Sequence, residues 1–252
     1  LTLLNQNEVM ITDRVLYGCS DNLINAELKS MGVSVVEVDA SDLNQVEIAF
    51  RENPQAKLIY FETPSNPTIG IKDIKGISEI AERYNALVVI DNTFATPYLQ
   101  NPLRHGADII IHSLTKYING HGDVLGGSVT GPSDFIGANH PGGLFYTRRV
   151  YGGVMDPGQA VTILRGTVTL PIRMEKHCDN AEYVVEFLRH HPAIKKVYYP
   201  GLEERSIAKT QMKRFGGMVA FEMKGDFKDT ARAMDLIADQ EVGYIAVSLG
   251  LP

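Results

Sequence analysis

Polar side chains follow three apolar stretches of the chain, at the points where strands are predicted to end. The stretch KLIYFE leads into a turn that contains Asn66, LVVID ends at Asp91, and DIIIH is followed by SLTK, which ends at Lys116. Ligands of open parallel sheets bind at the edge where the carboxyl ends of the strands meet. We therefore predict that Asn66, Asp91 and Lys116 face one crevice.

These residue types together can do a particular kind of chemistry. A lysine in a partly desolvated cleft has a lowered pKa and forms Schiff bases with carbonyl groups. An acid that keeps a pyridine nitrogen protonated makes the ring an electron sink, and hydroxyls such as those of Ser113 and Thr115 can hold a phosphate. Lys116, Asp91 and these hydroxyls thus predict a pyridoxal phosphate site. The glycine patterns of dinucleotide-binding and P-loop proteins are absent from the sequence.

The elements that must position these residues alternate between strand and helix. Strands are predicted at 8–12, 33–39, 57–62, 87–91 and 108–112, and helices at 21–31, 41–52 and 74–85. Gly32 is the expected C-cap of the first helix, and Ser41 the expected N-cap of the second. Near-continuous apolar strands suit a parallel sheet covered on both faces, so we predict an α/β layered fold.

The pattern changes in the second half of the chain. Residues 131–160 are rich in Gly and Pro without clear periodicity, and a long amphipathic helix is predicted around 173–190. A turn follows VYYPG, then an alternating strand at 218–225 and a helix at 227–238. We predict a large α/β cofactor-binding domain over 1–165, and the start of a smaller α+β domain over 166–252.

Composition narrows the class of protein. The 252 residues carry a net charge of −6 and are 44% hydrophobic, which predicts a folded chain that binds neither nucleic acid nor membranes. Two cysteines and the lack of an export-signal pattern favour the cytoplasm. The histidines lack metal-ligand spacing, so no metal is expected. The first and last residues read as interrupted elements, so we expect a longer natural protein.

One block of sequence resembles a known family. The stretch VVIDNTFATPYLQNPLRHGADIIIHSLTKYINGHGDVLGG resembles the Cys/Met-metabolism family of pyridoxal-phosphate enzymes, as do YFETPSNPT and LRGTVTLPIRMEKHCDNA. The resemblance spans nearly the whole chain, although 131–155 match poorly. Family members carry a further N-terminal phosphate-binding turn with a Tyr-x-Arg from a neighbouring subunit, and a C-terminal arginine that anchors the substrate carboxylate. We find no counterpart of these in the 252 residues, and expect those residues alone to be inactive.

The resemblance implies a fold of the aspartate-aminotransferase type and assigns roles residue by residue. Lys116 would hold the cofactor and move protons, and Asp91 would pair with the pyridinium nitrogen. Ser113 and Thr115 would contact the cofactor phosphate. Tyr17, in the context L-Y-G, would stack over the ring and act as an acid toward the leaving group.

Further roles follow from the same resemblance. Asn66 would approach the ring hydroxyl or the substrate, Thr93 the ring, and Ser248 the substrate carboxylate. Cys19, in Y-G-C, would line the substrate pocket as in the methionine γ-lyases of the family, where a polarisable thiol favours a thioether substrate. Glu62 is interpreted as a structural residue.

The implied activity is α,γ-elimination of methionine to methanethiol, 2-oxobutanoate and ammonia, by a homotetramer built as a dimer of dimers. Alternatives within the family are a cystathionine γ-lyase, and γ-replacement as in cystathionine γ-synthase or O-acetylhomoserine sulfhydrylase. Outside it, the sequence leaves open a catalytically silent binding subunit and a cofactor-free Schiff-base aldolase. The aldolase does not explain why Asp91 and the hydroxyls accompany Lys116.

Overall fold

A computed structural model describes residues 2–202, 206–240 and 242–243. Its main sheet has six strands: β1 Val9–Asp13, β2 Ser34–Val38, β3 Leu58–Glu62, β4 Leu87–Asp91, β5 Ile109–Ser113 and β6 Gly127–Thr130. Their order is β2-β1-β3-β4-β5-β6. The first five strands run parallel, and β6 pairs antiparallel with β5. The predicted α/β fold with a mostly parallel sheet is confirmed.

Helices flank this sheet and continue beyond it. The α-helices are α1 Gly18–Asn22, α2 Leu43–Glu52, α3 Ile74–Arg83, α4 Thr96–Leu99, α5 Ser133–Ile136, α6 Leu144–Tyr151, α7 Pro157–Thr167, α8 Leu170–His190, α9 Ala208–Gln211 and α10 Phe227–Asp239. Two π-helical turns, Leu23–Leu28 and Leu114–Ile118, and a 3₁₀ turn, Pro102–His105, complete the set. No helix in the described part of the chain combines the length and the apolar character of a membrane span.

Two details of the predicted helices are wrong. The N-cap of α2 is Asp42 and not Ser41, because the Asp42 side chain accepts a hydrogen bond from the Asn44 N–H at 2.9 Å while the Ser41 hydroxyl donates to Asp39. The first helix begins at Gly18, three residues before its predicted start, and continues as the π-helical turn.

The glycine-rich region 131–160 holds α5, α6 and the start of α7, which periodicity did not predict. Each of these helices is short or exposed on most sides, so its sequence shows only a weak periodic pattern of apolar residues. A start signal was nevertheless present, because Asp156 caps α7 through bonds from two backbone N–H groups and Pro157 follows it.

Both faces of the main sheet are covered. One face packs under α2 and α3 in a core of fully buried side chains that includes Ile11, Ile59, Phe61, Ile90, Phe50 and Ile77. The other face, with Met10, Tyr60, Val89 and Ile109, packs against Ile24 and Leu28 of the first π-helical turn. Burial on both faces explains why these strands are near-continuous apolar runs.

A second sheet consists of β7 Ile194–Tyr198 and β8 Ala220–Met223, paired antiparallel. Helix α8 connects the two regions, because its first half packs beside the turn after β5 and its second half packs against Tyr199. The predicted boundary between 165 and 166 falls inside α7. The division into two domains stays a prediction.

Candidate active site

The carboxyl ends of β3, β4 and β5 lie side by side. Glu62 and Asp91 are register partners at the ends of β3 and β4, and Asp91 is the register partner of Ile111 in β5. Ser113 ends β5, and the lysine-bearing turn follows at once. The structure therefore brings Asp91, Ser113 and Lys116 to the same edge of the sheet.

Asp91 begins a short chain of hydrogen bonds across this edge. Its Oδ1 accepts the Thr93 N–H at 2.9 Å, and the Thr93 hydroxyl oxygen accepts the Ser113 N–H at 2.8 Å. Burial raises the pKa of the Asp91 carboxyl, and the hydrogen bonds from Thr93 lower it in part. A buried carboxylate of this kind is stabilised by a cationic partner. Thr93 thus acts as a bridge between the two strand ends.

Lys116 lies within the π-helical turn Leu114–Ile118, with φ −85° and ψ −128° outside the helical range. The residue is half-buried. The turn is attached to Gly126, just before β6, because the Gly126 carbonyl accepts the Leu114 N–H at 2.9 Å and the Gly126 N–H donates to the Thr115 hydroxyl oxygen at 3.0 Å. The Thr115 hydroxyl donates in turn to the Gly126 carbonyl at 3.4 Å, which is long for a hydrogen bond from a hydroxyl.

Arg173 of α8 holds the carbonyl end of the lysine turn. Its Nη1 donates to the Tyr117 carbonyl at 2.7 Å, and its Nη2 donates to the Ile118 and Gly166 carbonyls at 3.2 and 2.9 Å. Its Nε donates to the Thr169 hydroxyl at 3.0 Å. The planar guanidinium can satisfy several acceptors at once, so one side chain fastens the turn to α7 and α8.

Sequence reasoning gave Arg173 no role beyond the predicted start of a helix. One signal could have found it. A cation near the N-terminus of a helix is disfavoured by the helix dipole, and Arg173 lies in the first turns of α8. A basic residue at such a position requires a specific acceptor nearby.

Tyr17 lies just before α1 in an extended conformation, and its side chain is 42% exposed. The neighbouring Cys19 side chain is the main reason that the pKa of the phenol is raised. Cys19 is itself exposed. The role of Cys19 in a substrate pocket stays a prediction.

Asn66 is half-buried in the turn after β3. Asn66 lies near the Glu62 carboxyl, whose pKa its N–H lowers, so the turn lies at the same edge of the sheet. The turn is anchored further along by Lys72, whose Nζ lies 2.9 Å from the Asp13 carboxylate in a buried ion pair. Ser248 lies outside the described residues, and its contact with the substrate carboxylate stays a prediction.

Glu62 was interpreted as structural, yet it lies among the predicted site residues. Its Oε1 accepts the Tyr17 N–H at 2.8 Å, and its side chain is beside that of Asp91. Burial raises the pKa of its carboxyl to about 7, against the lowering effect of its hydrogen bonds. The position of Glu62 at the end of a strand did not predict its place in the site, because the residues that surround its carboxyl come from distant parts of the sequence.

The side chains present fit pyridoxal phosphate. The structure offers a half-buried amine, a carboxyl whose burial calls for a cationic partner, and hydroxyls next to the lysine. A protonated pyridine nitrogen would supply the positive charge that Asp91 requires. Thr115 and Ser113 flank Lys116 closely enough along the chain to hold the phosphate of the same molecule.

The fold and the site thus define a pyridoxal-phosphate-dependent enzyme of the α/β class. Residues 1–251 match the family described as Cys/Met metabolism PLP-dependent enzymes, and the chain belongs to that family. The cofactor of the family is pyridoxal phosphate.

Individual relatives agree with this assignment. The chain is 45% identical to an L-methionine gamma-lyase of Fusobacterium nucleatum, over 99% of this chain and 62% of the relative. It is 41% identical to a cystathionine beta-lyase of Lactococcus lactis, over 99% of this chain and 64% of the relative. A solved cystathionine gamma-lyase of Lactobacillus plantarum, complexed with L-serine, is 40% identical, with a TM-score of 0.83 over 88% of this chain and 58% of that one. The chain thus spans somewhat less than two thirds of the length of these relatives.

Proposed function

We propose that these residues belong to a carbon–sulfur lyase that converts methionine and water into methanethiol, 2-oxobutanoate and ammonia. One observation carries the proposal: Lys116, Asp91 and the Tyr17–Cys19 pair are positioned by neighbouring elements at one edge of the sheet. The similarity to an L-methionine gamma-lyase at 45% identity supports the same activity.

The protein groups divide the work of this reaction. Bound pyridoxal phosphate supplies an electron sink next to the amino acid. Asp91 keeps the ring nitrogen protonated, and the Lys116 amine holds the cofactor and takes the proton from Cα of the substrate. Tyr17 donates a proton to the departing sulfur, and its raised pKa keeps the phenol protonated at neutral pH. Ser113 and Thr115 bind the phosphate, while Asn66 and Thr93 orient the ring.

Cleavage of cystathionine is the second candidate. It is supported by the 41% identity to a cystathionine beta-lyase and by the similarity to a solved cystathionine gamma-lyase. Tyr17 can protonate the sulfur of either substrate, so acid catalysis does not discriminate between them. Cys19 does, because it lies two residues after Tyr17 and its thiol would lie beside a small thioether.

An exposed apolar surface supports a homo-oligomer. Val161, Leu164, Val168 and Ile172 are between 65% and 77% exposed, and they lie close together in sequence on α7, at its C-cap and on α8. Contiguous apolar surface of this kind marks protein–protein contacts. We propose that this surface belongs to the interface of a homotetramer.

We also propose that the chain comprises two domains, 1–165 and 166–252. We propose the cytoplasm as the place where the protein acts.

Product analysis of the full-length protein tests the proposal. Purified enzyme is given methionine, cystathionine, or O-acetylhomoserine with a thiol, and methanethiol and 2-oxobutanoate are quantified for each. We expect methionine to give both products with the highest kcat/KM, and a visible absorbance band from the bound cofactor. Lys116→Ala is the matched control and should give neither product.

Three other outcomes would each replace the proposal. A strong preference for cystathionine would make the protein a cystathionine lyase. Absence of both the visible band and turnover would make it a silent subunit. Activity that survives removal of the cofactor would indicate an aldolase.

A further inference from the structure

The Glu62 carboxyl links the end of β3 to the segment before α1. Its Oε1 accepts the backbone N–H of Tyr17 at 2.8 Å. The nearby Asn66 N–H and Ser20 hydroxyl also favour the charged carboxylate, since both lower its pKa. Glu62 is only 5% exposed, so the bond from Tyr17 forms in a largely desolvated setting.

The cost of burying this carboxyl requires a compensating contact. Burial of a charged group is unfavourable unless hydrogen bonds or an opposite charge stabilise it. An apolar side chain would end a buried strand equally well if Glu62 served only the core. The position of the carboxyl between Tyr17 and Asp91 instead links it to the groups that the proposed function uses.

We propose that Glu62 is a positioning residue whose carboxylate holds the backbone of Tyr17 and thereby places the phenol at the reacting edge of the sheet. The contribution of Glu62 to catalysis rests on the function proposed above. The hydrogen bond between the Glu62 carboxyl and the Tyr17 N–H does not depend on that function.

A consequence for pH dependence follows from the surroundings of Glu62. Tyr60 faces it from β3, Asp91 from β4 and Tyr17 from the segment before α1, and each of these can only be neutral or negative. Burial and the charge of Asp91 hold the pKa of the Glu62 carboxyl at about 7, while the hydrogen bond from the Tyr17 N–H lowers it in part. A hydrogen bond to a carboxylate is stronger than one to a neutral acid, so the hold on Tyr17 weakens as the pH falls through this value.

The test observes the Tyr17 amide directly. Full-length protein labelled with ¹⁵N-tyrosine is titrated by two-dimensional NMR, with and without cofactor, over about two pH units on either side of neutrality. Tyr17→Phe identifies the resonance by its loss. We expect the amide shift of Tyr17 to titrate with a midpoint near 7 in the cofactor-free protein.

Glu62→Gln is the decisive variant because the amide mimics the protonated acid and preserves the shape of the side chain. We expect the Tyr17 resonance to lose its titration in this variant. With methionine as substrate, kcat should be about tenfold below that of the wild type well above pH 7, and nearly equal to it well below pH 7. Glu222→Gln, on β8 of the second sheet, is the matched control and should leave the titration unchanged.

The result that overturns the proposal is a Tyr17 amide that does not titrate in the folded wild type, or one that titrates identically in Glu62→Gln. A kcat deficit of the variant that is the same at all pH values would also count against it. If methionine is not turned over at all, the proposed function fails, while the NMR titration still decides the role of Glu62.

Discussion

The two segments that carry the predicted acid–base groups are held in very different ways. The turn with Lys116 is fastened by the Arg173 guanidinium through two of its backbone carbonyls, and by Gly126 on its other side. The Tyr17 backbone is attached to the sheet edge through the bond from its N–H to Glu62, and Tyr17 is 42% exposed. The lysine turn is held by an arginine that stays charged, whereas Tyr17 is held by a titratable carboxyl.

This difference suggests a division between chemistry and selectivity. Groups that every reaction of this cofactor needs, a lysine and an acid, lie on the sheet edge and its first turn. Groups that meet the leaving part of the substrate, Tyr17 and Cys19, lie on the less constrained segment. Changes on the first set should abolish or slow every reaction, and changes on the second should alter which substrate is preferred.

The largest effect is expected for Lys116→Ala. Without the amine, the proton at Cα has no acceptor and the cofactor has no covalent attachment, so turnover should fall by about a thousandfold or more. Cofactor bound without a covalent bond can remain. Borohydride reduction followed by mass spectrometry should find a pyridoxyl adduct in the wild type but not in the variant.

The exposed Lys75, which pairs with Glu79, provides the control for this change. Lys75→Ala should retain wild-type turnover and the adduct. Near wild-type activity in Lys116→Ala would instead show that another amine does the chemistry.

Asp91→Asn should cost about 3 kcal/mol in the activation barrier, or about a hundredfold in kcat, because a neutral amide does not keep the ring nitrogen protonated. Steady-state kinetics and a cofactor titration measure the two effects. Asp134→Asn, at an exposed position, should change neither. Full activity with normal cofactor affinity in Asp91→Asn would remove Asp91 from the site.

Arg173→Ala tests whether the fixed turn depends on one guanidinium. Loss of hydrogen bonds from a charged donor to buried carbonyls should lower the free energy of unfolding by about 3 kcal/mol. The loosened lysine should reduce kcat about tenfold with little change in KM.

Arg173→Lys should recover part of both losses, because an ammonium reaches fewer of the carbonyls. The exposed Arg165 on α7 is the control, and Arg165→Ala should leave both values unchanged. Thermal unfolding and kinetics that match the wild type in Arg173→Ala would mean that Gly126 alone holds the turn.

The smallest effect is expected on the less constrained segment. Cys19→Gly should reduce the ratio of kcat/KM for methionine to that for cystathionine about fivefold, which corresponds to about 1 kcal/mol for a lost sulfur contact. Cofactor binding should not change. Cys19→Ser keeps a hydrogen-bonding group next to Tyr17 without a polarisable sulfur, so it separates the two properties of the thiol. An unchanged ratio in both variants would exclude Cys19 from substrate selection.

The sheet edge was predictable because its strands are marked by their own residues. The apolar runs before Asp91 and Ser113 define β4 and β5 and bring their polar ends together once the strands are taken as parallel. The same argument from the carboxyl ends of parallel strands predicted that Asn66 and Lys116 lie near this edge. The local sequence is sufficient to predict a site residue when the place of that residue along a strand determines its place in the sheet.

The anchors of these segments were not predictable in the same way. Arg173 reaches the carbonyl of Tyr117, 56 positions away, and a carbonyl leaves no trace in the sequence. The pKa of Glu62 is raised by burial and by the nearby Asp91, and neither effect can be read from the local sequence. Periodicity also missed α6 and most of α7, because their apolar residues face outward.

Helix α8 has a mechanical consequence. It is 21 residues long, and therefore about 30 Å from end to end. Arg173, near its first turn, donates a hydrogen bond to the lysine turn. Ala181 and Val185, in its second half, pack against Tyr199 after β7. The same helix therefore contacts both the backbone next to Lys116 and the residues that follow the small sheet's first strand, and a single rigid element joins the two.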